Sequence, residues 1–148
     1  MFRFLHFLGI ALWMGGGWTV MAMAIRARGE PPETRRAMAR LLPAASSVIG
    51  AGAAITVIAG MLLVLRLAVA GAGQALATPG RFVMMGAGIL ASLLVFLVSW
   101  PASFTLARLA SMPGELSPEF EKIRKRQAIA SSVAGVLGLL ALVGATLI

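Results

Sequence analysis

"LLPAASSVIGAGAAITVIAGMLLVLRLAVAG", residues 41 to 71, carries no charge before Arg66. As one α-helix it would run about 46 Å, against a hydrocarbon thickness of about 30 Å. No soluble domain of this size has a use for so long an apolar helix. The stretch therefore reads as a membrane span that tilts or extends past the surface, with Arg66 snorkelling to the interface. Pro43 is expected to start or kink it.

The rest of the chain agrees. Of 148 residues, 59% are hydrophobic and only 12% charged. Three further apolar stretches are long enough to cross a bilayer, at about 4–25, 82–107 and 128–148. Nothing alternates like a barrel strand, so the spans must be helices that satisfy their own backbone hydrogen bonds. The fold class is all-α, a single transmembrane domain forming an integral membrane four-helix bundle. Met1 to Ala24 also has the outline of a signal peptide with Ala22-Met23-Ala24 as the cleavage box, but it is read as a retained span.

Charge sets the orientation. Loop 26–40 holds Arg26, Arg28, Arg35, Arg36 and Arg40, and loop 108–127 holds Arg108, Lys122, Arg124, Lys125 and Arg126. Only Arg3, Arg66 and Arg81 lie elsewhere. By the positive-inside rule both basic loops are cytoplasmic and both termini face outward. The net charge of +8 is thus accounted for by loops facing anionic lipid. Nucleic acid is not an expected partner, since no aromatic platform accompanies the basic residues. Within those loops, Ser117 and Pro118 mark a helix N-terminus, and a short helix is expected to begin near Pro32. "GAGQALATPG" is expected to connect spans two and three, with Pro79 and Gly80 as turn residues.

The residues point away from catalysis. There is no Asp and no Cys, and all five Glu residues lie in the basic loops. This excludes a Ser-His-Asp triad, thiolate chemistry and a proton relay through an embedded carboxylate. No catalytic residue is assigned. What remains is "FLHFLGIALWMGGGW", residues 4 to 18, which contains the only histidine, His6. Helical spacing puts Ile10, Trp13 and Gly17 on its face, with Gly9 close by and Met14 somewhat offset. A neutral imidazole can ligate haem iron or copper, with methionine sulfur as a soft partner. The candidate metal ligands are His6, Met14, Met84 and Met85. His6, Arg66 and Arg81 form the candidate cofactor set, the arginines pairing with haem propionates or another anion. With one histidine per chain, bis-histidine ligation requires two subunits. The plain alternative is an imidazole near a helix end, bonded to a carbonyl or to water.

Small residues recur at helical spacing. Gly52, Thr56 and Gly60 form one stripe; Gly88 and Ser92, and Ser131 and Gly135, repeat the idea in the third and fourth spans. Such stripes let helices approach closely in lipid, within the chain or in a homo-oligomer or larger membrane complex. Pro101 is expected to kink the third span by freeing the carbonyl of Leu97, and Trp100 to anchor at the interface.

Leu5, His6, Gly9, Trp13, Gly15 and Gly16 spell the pattern L-H-x-x-G-x-x-x-W-x-G-G. This resembles the first-span motif of the copper-resistance D family of integral membrane proteins. More distantly, the first 65 residues or so resemble the bacterial membrane-bound protoporphyrinogen oxidase family. The resemblance implies a four-helix core in the bacterial inner membrane, with His6 at or near a copper or haem site on the outer side. It departs from the oxidase pattern in having Arg81 near the position of a lysine and no second histidine. Full-length copper-resistance D proteins have more spans. Three readings follow: a small protein that binds or handles copper or haem through His6, a non-catalytic assembly subunit of a larger complex, and an oxidase of the protoporphyrinogen type.

Overall fold

In a computed structural model, residues 1–147 are described, apart from the side chains of Ala75 and Leu76. The described residues are helical wherever they are regular: α1 (Phe2–Arg26), α2 (Pro32–Val69), α3 (Pro79–Leu94), α4 (Trp100–Ala110) and α5 (Pro118–Thr146). A π turn, Val95–Ser99, joins α3 to α4, so the two form one rod from Pro79 to Ala110. Four helices result, each long and apolar enough to cross a membrane.

The helices outrun the apolar stretches. α2 starts at Pro32 and passes through Pro43 unbroken, so the expected short helix is simply its first turns. At 38 residues it is about 57 Å long. Pro43 therefore does not start the helix. Gly71, at φ +74°, turns the chain just after α2 ends. Pro79 and Gly80 are not turn residues either. They open α3, where Pro79 sits in the first turn and loses no intrahelical bond. At the start of α5 the sequence is read directly, for the Ser117 hydroxyl accepts the backbone N–H of Phe120 at 3.2 Å. Ile148, the last residue of the fourth stretch, lies outside the described residues.

Packing is pairwise and antiparallel: α1 lies on α2, and the Pro79–Ala110 rod lies on α5, with α4 also meeting α2. Two clusters form the interior. Trp13 fills the middle against Ala53, Ala91, Val95 and Ala134, small neighbours that make room for an indole. Ala39, Leu106, Ala110 and Phe120 close the end that carries the basic loops.

The π turn has a geometric cause. The inward face of the third span runs through Gly80, Met84, Ala87, Ala91, Val95, Ser99, Ser103, Leu106 and Ala110. These eight steps consume 30 residues, whereas eight α-helical turns hold about 29. One extra residue in one turn keeps the face aligned, and a π turn is that insertion. The N–H of Trp100 bonds the carbonyl of Val95, five residues back, just before Pro101. Pro101, where the kink was expected, thus follows directly on a change of helical register. The Trp100 ring packs inward, over Gly50 and 5.5 Å from the ring of Phe96.

Candidate functional site

The α1–α2 crossing is built around glycines. A Cβ on Gly9 would fall 2.5 Å from Thr56 Oγ1 and 2.8 Å from the Gly52 carbonyl oxygen. On Gly52 it would fall 2.7 Å from the Trp13 nitrogen. Gly16 meets Ile49 in the same way. The contact face of α1 is therefore His6, Gly9, Trp13 and Gly16, set against Gly60, Thr56, Gly52 and Ile49 of α2. A Cβ on Gly15 or Gly17 would meet nothing within 4 Å. The stripe Gly52-Thr56-Gly60 is the packing surface its spacing predicts. Gly88 and Gly135 are not close contacts. In their place Gly80 and Gly144 bring α3 and α5 together.

His6 sits at the end of this crossing, half-buried, with its ring over Gly60. Its Nδ1 lies 2.8 Å from the carbonyl oxygen of Thr56. A carbonyl oxygen only accepts, so Nδ1 carries the proton and donates it. In the neutral ring Nε2 is then the nitrogen with the lone pair, the arrangement found in metal-ligating histidines. The Thr56 hydroxyl is already committed to the Gly52 carbonyl at 2.8 Å. No hydrogen bond to Nε2 is present among the described residues.

The other candidates lie elsewhere. Met14 is eight residues along α1, about 12 Å, and its sulfur packs on Gly138 of α5. The backbone of Met84 lies against Gly144, on the α3–α5 side, and Met85 is exposed. Arg66 is exposed in the last turn of α2. It is six residues beyond Gly60, so about 9 Å further along and on another face. Arg81 is half-buried in the first turn of α3. Neither arginine forms an ion pair among the described residues. Those residues also hold no group of three or more histidine or carboxylate side chains placed to bind a metal. His6 thus contributes one donor. Its immediate partners, Thr56 and Gly60, carry no side chain that the sequence could have marked as a ligand.

Two polar assemblies escaped the sequence reading. The first lies at the π turn, where buried Gln127 donates to the carbonyl of Ser99 at 3.2 Å and the hydroxyls of Ser99 and Ser131 are 3.2 Å apart. A lone glutamine one turn ahead of Ala130 and Ala134 on a buried face was its only sequence signal. The second is at the basic end. Arg36 donates to the carbonyls of Ala110, Met112 (2.6 Å) and Gly114, and Arg40 also donates to Ala110. Two cations thus cap the C-terminus of α4, where free carbonyls and the helix dipole favour positive charge. Beside them Glu121 bridges Arg35 and Arg124. It stands in the polar first turns of α5, ahead of the apolar stretch that begins at Ala128. Partial burial pushes its carboxyl up, but hydrogen bonds and charge from Arg124 and Arg35 outweigh this and hold it below the usual carboxylate range. Four arginines read as lipid-facing charge are therefore partly structural.

No family model, curated protein or solved structure matches the chain.

Proposed function

We propose that this chain is a small multi-pass protein of the bacterial inner membrane that lends one imidazole, through His6 Nε2, to a haem or a copper ion at the end of the bundle remote from the basic loops. The basic loops face the cytoplasm, by the bias of ten cations against three, and His6 lies towards the outer side. One observation supports the ligand role most: the Nδ1–H bond to the Thr56 carbonyl orients the ring and leaves Nε2 as the basic nitrogen. A single donor does not complete a coordination sphere. The remaining ligands come from beyond this chain, with His6 of a second copy the simplest source.

A second reading is favoured by α1. This helix packs mainly on α2. Phe4, Phe7, Trp18 and Met21 are each at least half exposed. An assembly subunit that docks in a larger membrane complex would present such a face, with His6 serving only to staple α1 to α2.

The absorption spectrum and metal content of the purified protein separate the two. His6→Gln retains a donor for the Thr56 carbonyl and removes the imidazole. A Soret band or stoichiometric copper in the wild type, lost in His6→Gln while the fold persists, supports the ligand reading. A colourless, metal-free protein that co-purifies with fixed partners overturns it in favour of the assembly subunit.

A further inference from the structure

The rod Pro79–Ala110 and α5 leave an open apolar groove on the outside of the bundle, in two connected segments of about 260 and 440 Å³ that share Leu94 and Val98. Its α5 wall is Ile129, Val133 and Leu137, and its single charged lining residue is Arg126, at the end facing the basic loops. From Arg126 to Leu137 is about 16 Å of helix, close to half the hydrocarbon thickness of a bilayer. Lys122, one turn before Arg126, continues the same face of α5. Both side chains are exposed, and neither is in an ion pair or hydrogen bond among the described residues. This distinguishes them from Arg35, Arg36, Arg40 and Arg124, which are bonded within the protein.

We infer that this groove is a binding site for one anionic glycerophospholipid of the leaflet on the basic side. Lys122 and Arg126 hold the phosphate, and an acyl chain lies along Leu94, Val98, Ile129, Val133 and Leu137. The charge is complementary to an anionic headgroup. The apolar length suits one leaflet, and the lining beyond Arg126 offers a hydrocarbon chain nothing polar. A zwitterionic lipid fits the same groove but gains less from the two cations.

The test reconstitutes the full chain into phosphatidylcholine vesicles doped with a minor fraction of phosphatidylglycerol. The protein is extracted in mild detergent and its retained lipids are counted by native mass spectrometry. Wild type is expected to retain phosphatidylglycerol in preference to phosphatidylcholine. Each of Lys122→Gln and Arg126→Gln should weaken that preference about fivefold, and both together about thirtyfold, from the attraction of a cation to anionic lipid. Val133→Trp, at an exposed groove position, should abolish retention with both cations intact. Arg28→Gln, which removes an equal charge away from the groove, should change nothing. Unchanged retention in the double variant or in Val133→Trp, or an equal fall in Arg28→Gln, overturns the site.

Discussion

Alanine at Gly9 and alanine at Gly15 are the same chemical change six residues apart on one helix, and they should have opposite consequences. At Gly9 the new methyl would fall 2.5 Å from Thr56 Oγ1, 2.7 Å from the Thr56 nitrogen and 2.8 Å from the Gly52 oxygen. Two of these are backbone atoms of a long helix and cannot rotate aside, so α1 must lift off α2. At Gly15 nothing lies within 4 Å. Whatever backbone stiffening alanine brings is common to both variants, so their difference isolates the steric cost. Overpacking of an ordered interior costs about 1–3 kcal/mol, and fixed backbone neighbours place Gly9→Ala at about 3. That is a shift of roughly a hundredfold in the unfolding equilibrium. Lifting the helix also stretches the His6–Thr56 bond and withdraws Trp13 from its bed of small residues. Equilibrium unfolding in mixed micelles, followed by tryptophan fluorescence, reports the loss, because Trp13 is only 6% exposed. Gly15→Ala should unfold at or slightly above the wild-type midpoint. If the two variants unfold together, the close crossing at Gly9 is wrong, and with it the placement of His6 over Gly60.

Two further outcomes concern the basic end. Arg36→Ala removes the donor shared by three carbonyls at and just beyond the end of α4 and should destabilise by about 1–2 kcal/mol, exposure reducing the larger value of a fully buried charged bond. Arg28→Ala, with no side-chain bond to lose among the described residues, should stay within about 0.5 kcal/mol of wild type in the same assay. Glu121 gives the pH dependence. Its carboxyl is lowered from an ordinary value near 4.5 in the folded state. The stability it contributes is therefore complete above that value and is lost as pH falls through the folded value. Wild type should exceed Glu121→Gln by a constant margin from neutral pH down to about 5, a margin that starts to shrink at about 4.5 and closes only once pH is below the lowered folded value. A margin that persists in acid would show that the bridge to Arg35 and Arg124 is not ionic.

The faces were harder to read than the helices. In a soluble helix the polar side declares itself, and the apolar stripe names the contact surface. In α1 nearly every side is apolar, so periodicity groups His6 with Ile10, Trp13 and Gly17, and with Gly9 close by, without saying which of them meet α2. Gly16, outside that grouping, is the glycine that packs on Ile49, whereas a Cβ on Gly17 would meet nothing within 4 Å. Met14 was a reasonable thioether partner for His6, yet it packs on Gly138, because its offset from His6 turns it towards α5. The buried carbonyl that holds His6 could not be found by any search over side chains. Likewise the arginine caps of α4 join residues 70 and 74 positions apart, and only the docking of α2 on α4 brings them together.

Run length, the absence of embedded charge and the placement of cations by themselves determined four long apolar helices with two basic connections. The reason is local: a backbone in hydrocarbon must bond within its own segment, so length and hydropathy suffice. Ser117 and Pro118 set the start of α5 by the same local logic. Tertiary structure alone decided which of the glycines are contacts, that the third span shifts register at Val95–Ser99, and which nitrogen of His6 holds the proton. Each of these depends on where a second helix lies, and a sequence whose helices are apolar all round does not encode that in any one segment.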